Sequence, residues 1–393
     1  MTKRLLRSQL VSQRSLQEPR RRARKAWRFS ALAILGVGAL AAAATIKPPG
    51  KIGRVILSGG VHQAQAQAQP PVPAFQADCS LSPEPLQRAL TDIAQGFDGE
   101  VGIAVTKAGC DWTVGARLNE LFPQQSVSKL WVSLSVLDAV DHGRMRLDQV
   151  VSIGPNDLTL FNQPLRAEVL EQGRVDRPVL ALMMAALSHS DNTANDRLLW
   201  TVGGPDTVRG VLKAKDIAGI RFGPGERLLQ SHIAGLTWRQ DYSLGRNFEQ
   251  ARLLLPMGLR QNLLDNYIAD PLDGATPAGI AHGLANLAAG RLLSPESTGV
   301  MMDILSRTHS GPMRLKAGAP QGWKVFHKTG TGQELGKLAT GYNDVGLLQA
   351  PDGSYYGLAV MIRRTTQPIP ARMEMMQSVS RAVAQFHEAS ATK

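Results

Sequence analysis

Ser126 and Lys129 are the residues from which chemistry is most directly read. They stand in the run Phe122-Pro123-Gln124-Gln125-Ser126-Val127-Ser128-Lys129-Leu130-Trp131. The run reads as a proline-containing loop entering a helix whose first turn carries the serine, and on a helix i and i+3 share a face. Lys129 can therefore turn its amine toward the Ser126 hydroxyl. A serine is a weak nucleophile until something takes its proton, and a desolvated lysine beside it can do so. The positive end of the helix dipole would favour the anion that develops there. A Ser-x-x-Lys also arises by chance about once in a chain of this length, so its meaning depends on its company.

That company is two further clusters and one acid. Ser190-Asp191-Asn192 follows an apolar helix and offers a hydroxyl, a carboxylate and an amide within three residues. Lys328-Thr329-Gly330-Thr331-Gly332 ends a predicted strand. Its lysine and hydroxyls suit an anionic substrate group, while its glycines let backbone approach a ligand. Between them Glu226, in Gly223-Pro224-Gly225-Glu226, falls in a turn-rich segment that reads as a loop.

In this order and context, Ser126-x-x-Lys129, Ser190-Asp191-Asn192 and Lys328-Thr329-Gly330 resemble the serine β-lactamase and penicillin-binding protein superfamily, the class A β-lactamases in particular. The resemblance runs over residues 86–386. It extends to Phe122-Pro123, Asn192-Thr193-Ala194, Gly203-Gly204-Pro205, Asn343-Asp344 and Thr366-Gln367-Pro368. It implies that Ser126 attacks a lactam carbonyl, helped by Lys129 or by Glu226 through a water. The amides of Ser126 and Thr331 would form the oxyanion hole. Ser190 would relay a proton to the leaving nitrogen, Asn192 would hold the substrate amide, and Lys328, Thr329 and Thr331 would bind its carboxylate. Counted without gaps from Gly203-Gly204-Pro205, Glu226 stands where class A enzymes place the glutamate that activates the deacylating water, with Gln230 as its partner.

The chain also departs from that pattern. Gln230 replaces an asparagine and is one methylene longer, enough to shift the water by about an ångström. Residues 231–276 form an insertion roughly thirty residues beyond the family's usual length, expected to be either a helical hairpin packed on the helical subdomain or a lid or partner surface. Residues 333–342 lengthen the hairpin after Gly332. Asn343 stands where some class A enzymes carry a carboxylate-binding arginine, leaving Arg363, Arg364 and Arg372 as candidates. Phe161 reads either as an aromatic at the cleft entrance or as core. The alternatives to a β-lactamase are a D,D-peptidase or esterase on the same scaffold and a non-catalytic penicillin-sensing or peptidoglycan-binding module.

The elements that must position these residues follow from pattern. A helix begins at Ser82-Pro83-Glu84, with apolar residues at Leu86, Leu90, Ile93 and Ala94. Strands are expected at 100–105, from 112, and at 324–328, 345–349 and 356–362, with Pro351-Asp352-Gly353 as a turn. Helices are expected at 179–187, 192–202, 278–293, 300–306 and 372–386. Strands thus come from both ends and helices from the middle, about 126–290. The plan is α+β: an antiparallel sheet flanked by helices plus a mostly helical subdomain.

Charge and composition limit the function classes. Residues 1–54 hold 13 Lys and Arg against one acid, Glu18, and the remaining residues balance at 31 of each sign. The net charge of +12 is therefore a terminal tag rather than a basic face, and no nucleic-acid partner is expected. Residues 1–30 read as a basic cytoplasmic region and 31–46 as a signal sequence or inner-membrane anchor. Residues 47–78 read as a disordered linker and 79–393 as the hydrolase domain. That places the domain in the periplasm, as a monomer acting on a small β-lactam or peptidoglycan-like substrate. Cys79 and Cys110 are either a disulfide or two buried thiols; antiparallel packing of the first helix on the first strand would bring them together. No pair among the eight histidines has metal-ligand spacing with a nearby acid, and neither metal nor cofactor is expected.

Overall fold

A computed structural model describes residues 79–80 and 82–391. The expectations for 1–30, 31–46 and the linker 47–78 lie outside the described residues. Among the described residues no helix is long and apolar enough to cross a membrane.

Five antiparallel strands form the main sheet: β1 (Glu100–Lys107), β2 (Thr113–Ala116), β3 (Lys324–Gly330), β4 (Tyr342–Gln349) and β5 (Tyr355–Arg364). Their spatial order is β2-β1-β5-β4-β3, with Ile103 opposite Val360, Val345 opposite Ala359 and Lys328 opposite Val345. Alternation along β5 shows why the sheet is covered on both faces. Tyr356, Leu358, Val360 and Ile362 pack with Leu86 and Leu90 of the first helix and with Met376, Val379 and Val383 of the last. Ala359 and Met361 belong instead to the core shared with the helical subdomain. The closing helix, Ile369–Ala391, is longer than its apolar pattern predicts. The sheet's other face meets helix Pro277–Ala288 so closely that a Cβ at Gly357 would lie 2.2 Å from the Ala281 carbonyl oxygen. That helix stops short of its expected end, and Gly290 then turns the chain at φ 68°.

At the centre of the helical subdomain is Lys129–Asp141, in which every residue from Lys129 to Ala139 is buried. A helix apolar all round belongs inside a core, and this one is packed by Val179–Ser188, Asn192–Thr201 and Pro205–Ala214. Lys129, its first residue, is thus set on a helix buried on all sides.

Residues 231–276 are helical: the end of Glu226–Ala234, a 3₁₀ turn at Gln240–Ser243, and helices Asn247–Leu253 and Met257–Ala269. One side packs Leu264, Tyr267 and Ile268 on Leu229, Ile233 and Leu335. The other packs Tyr242 and Phe248 on Leu160. The insertion then closes with Gly274–Ala275 paired antiparallel to Phe122–Pro123, directly before the serine. Cys79 is disulfide-bonded to Cys110 at the β1–β2 turn.

Candidate active site

Ser126 lies in a 3₁₀ turn, Gln125–Ser128, rather than in the first turn of the α-helix. In a 3₁₀ turn residues i and i+3 eclipse one another, and Lys129 Nζ lies 2.7 Å from Ser126 Oγ. Gln125 enters the turn at φ 53°, left-handed backbone that a glutamine adopts only when its surroundings hold it there. Lys129 Nζ also lies 2.7 Å from Asn192 Oδ1. The Asn192 amide group donates to the Leu160 carbonyl at 2.8 Å and to Glu226 Oε1 at 3.0 Å. Burial lowers the Lys129 pKa, opposed by the charges of Glu226, Asp196 and Asp191. Burial likewise raises the Glu226 carboxyl.

Glu226 is the first residue of a helix, where a loop was expected, and it is buried. The cause is Asp196, whose Oδ1 accepts from Glu226 N at 2.9 Å and whose Oδ2 accepts from Arg227 N at 3.4 Å. Two orphan amides of a helix start are thereby satisfied from a neighbouring helix rather than by a local cap. Sequence reading missed Asp196, although it lies four residues after Asn192 and so on the same helical face. Gln230 follows one turn after Glu226 on the same helical face, near enough for its side chain to oppose the rise that burial imposes on the Glu226 carboxyl.

Ser190 sits at φ 57°, with its Oγ 2.9 Å from Lys328 Nζ. Lys328 donates also to the Thr329 carbonyl, and burial, with Lys129 and Arg314 nearby, holds its pKa well below the usual lysine range. The end of β3 packs against the serine-bearing turn. A Cβ on Gly330 would lie 2.5 Å from the Gln124 carbonyl oxygen, so only glycine permits that approach. Thr329 Oγ1 is 2.7 Å from Ser310 Oγ.

None of the three arginine candidates reaches this strand end. Arg363 pairs with Glu100 and Glu120, Arg364 with Asp265, and Arg372 with Glu334. Arg314, which sequence reading did not single out, donates to the Gly330 and Asn343 carbonyls at 3.0 and 2.6 Å and to Thr331 Oγ1 at 2.9 Å. It stacks on Tyr342. Nothing in Gly311-Pro312-Met313-Arg314 marks it, because its partners are all remote in sequence. Asn343 instead ties β4 to the carbonyls of Pro123 and Gln124.

Phe161 is not a core residue: it is 44% exposed, at φ 59°, and edge-packed on Phe248 of the insertion. His189 stacks on His309 at the surface, while His327 is buried against Asp344 at 2.9 Å. Among the described residues no group of three or more His, Cys, Asp or Glu can hold a metal.

Fold and site together place a lysine-paired serine where an antiparallel sheet meets a helical subdomain. The chain belongs to the β-lactamase enzyme family, whose pattern matches residues 85–387, and within it to the class A serine enzymes. It is 24% identical over 292 residues to β-lactamase VEB-1 of Pseudomonas aeruginosa, covering 74% of this chain and 87% of that one. To the extended-spectrum β-lactamase PER-1 of the same organism it is 27% identical over 304 residues, 77% of this chain and 87% of the relative. A class A β-lactamase from Bacteroides cellulosilyticus superposes with a TM-score of 0.64 at 23% identity, over 78% of this chain and 98% of the other.

Proposed function

We propose that this protein opens β-lactam rings through a covalent Ser126 ester, which a water activated by Glu226 then clears. The observation that carries this reading is the unbroken run of contacts from Ser126 through Lys129 and Asn192 to Glu226. It joins the nucleophile to a buried acid in position to serve a second step.

In the first step Ser126 Oγ attacks the lactam carbonyl as its proton passes to Lys129, whose burial favours the neutral amine, or through a water to Glu226. Backbone amides of Ser126 and Thr331 stabilise the oxyanion as it forms. The C–N bond breaks as Ser190, held by Lys328, relays a proton to the departing nitrogen. Asn192 orients the substrate amide. The substrate carboxylate meets Lys328, Thr329 and Thr331, whose hydroxyl Arg314 orients while adding positive charge. In the second step Glu226, with Gln230, draws a proton from water, which attacks the ester and frees Ser126. A disulfide between Cys79 and Cys110 suits an oxidising compartment. With the basic and apolar residues 1–46, it supports action in the periplasm after export or anchoring.

A chromogenic cephalosporin tests the proposal on the full chain. The native protein should hydrolyse it steadily, and Glu226→Ala should give one stoichiometric burst with a stable mass adduct on Ser126. Undiminished turnover by Glu226→Ala would remove Glu226 from the mechanism. Inertness toward the cephalosporin, with cleavage of a D-Ala-D-Ala peptide or simple ester, would move the protein to the peptidase reading.

A further inference from the structure

Gln230, one helical turn from Glu226, is held by a chain of hydrogen bonds running into the insertion. Gln230 Nε2 donates to Gln125 Oε1 at 2.8 Å. Gln125 Nε2 donates to the Tyr267 hydroxyl at 2.5 Å, and that hydroxyl donates to Asp273 Oδ1 at 2.8 Å. The other carboxylate oxygen of Asp273 accepts the backbone N–H of Gln125 at 2.7 Å, closing a ring around the residue that precedes the nucleophile. From the opposite side Gln333 Nε2 donates to Gln230 Oε1 at 2.9 Å and to its carbonyl at 3.0 Å. All five residues are buried.

The run has a direction. A side-chain amide can present either its oxygen or its NH₂ to a neighbour, and only its partners decide which. Asp273 accepts from both Gln125 N–H and Tyr267 O–H, which its ionised form alone does with both oxygens. Tyr267 must then accept from Gln125, so Gln125 must offer its carbonyl to Gln230. That leaves Gln230 donating to Gln125 and accepting from Gln333, one helical turn from Glu226. Without the Tyr267 hydroxyl, the Gln125 amide is kept from turning over by Gln230 alone. Were it to turn, two NH₂ groups would face each other, and Gln230 would have to swing away.

We infer that Tyr267 and Asp273 are positioning residues for deacylation, helping through Gln125 to fix the Gln230 amide one helical turn from Glu226. The inference rests on the deacylation role given to Glu226 above. It assigns the insertion a purpose: it supplies the tyrosine that sets the polarity of the run, and it ends at the aspartate that anchors it. It also accounts for a glutamine at position 230, since the longer side chain is gripped at both ends of its amide.

The test separates the two steps. Acylation and deacylation rates are measured by single-turnover mixing with a chromogenic cephalosporin, with mass spectrometry of the acyl adduct, for the full chain and for Tyr267→Phe, Asp273→Asn and Glu226→Ala. Tyr267→Phe and Asp273→Asn should slow deacylation about 10-fold or more while acylation changes little. kcat and KM should then fall together, kcat/KM should hold, and acyl-enzyme should accumulate at steady state. A loss of general packing would lower folded protein and kcat/KM without that accumulation. The inference is overturned if both variants deacylate at the native rate, or if their loss appears in acylation. Should Tyr267→Phe fold poorly, Asp273→Asn, which keeps the side chain's shape, decides alone. If Glu226→Ala itself turns over normally, the deacylation reading fails and takes this inference with it. If Glu226→Ala traps the ester and the other two do not, only the relay is wrong.

Discussion

The two halves of the cleft are built by different means. On the serine side Lys129 bonds both Ser126 and Asn192, and Lys328 bonds Ser190, motif to motif. On the water side Glu226 and Gln230 are held by Asp196, Gln125 and Gln333, residues that belong to no motif. The first half is specified by short spacings on one buried helix and one strand end. The second is specified by side chains outside the motifs, across separations of 30, 103 and 105 residues.

Substitutions on each side should separate the halves. Ser126→Ala should remove covalent chemistry altogether, lowering kcat about 10⁴-fold or more, with no adduct by mass spectrometry. Any adduct elsewhere would show that the nucleophile is misassigned. Glu226→Ala should leave ester formation fast and lower its hydrolysis by about 10²–10⁴-fold; equal losses in both steps would merge the two halves into one. Asp196→Ala releases the start of the Glu226 helix. It should cost roughly 10-fold or more in deacylation and about 1 kcal/mol of stability, read by single-turnover kinetics and denaturant unfolding.

The smallest effect concerns stability. Burial raises Asp191, Asp196, Glu226 and Asp273, so the folded chain holds protons on them more tightly than the unfolded one. Their contribution is complete below the unfolded value of about 4 and is lost as pH rises through the raised folded values. Lys129 and Lys328 are lowered, so their contribution is complete above about 10.4 and is lost as pH falls toward the folded values. Near neutrality the site carries both costs. Glu226→Gln should accordingly raise the melting temperature near neutral pH by roughly 2–4 °C, with the gain shrinking toward acid. A gain that is equal at both pH values would mean that packing, not charge, is responsible.

How much of this was legible in the sequence follows the same division. Ser126, Lys129, the Ser190 triplet and the Lys328 strand end announce themselves because helical and strand periodicity fix their neighbours. The sheet was legible for a related reason, since the unbroken apolar run along 356–362 marks a strand covered on both faces. Glu226 was found by counting, but its helix was not, because Gly223-Pro224-Gly225 signals a turn and the helix start is stabilised from Asp196. The left-handed Gln125 carried no signal at all: glutamine has no preference for that conformation, and Asp273, which holds it, lies far along the chain. Arg314, Tyr267 and Gln333 were invisible for the same physical reason, their roles arising only once remote segments meet.

The bond from Cys79 to Cys110 has a mechanical consequence. Tension arriving along the chain before residue 79 would otherwise act on the first helix, Glu84–Gln95, and strip it from the sheet turn by turn. The sulfur bridge diverts that load to the β1–β2 turn. There it meets a ladder whose hydrogen bonds share the strain along β1 and β5. The first helix is thus left slack, and the cleft on the far side of the sheet is insulated from any pull on the chain that leads into it.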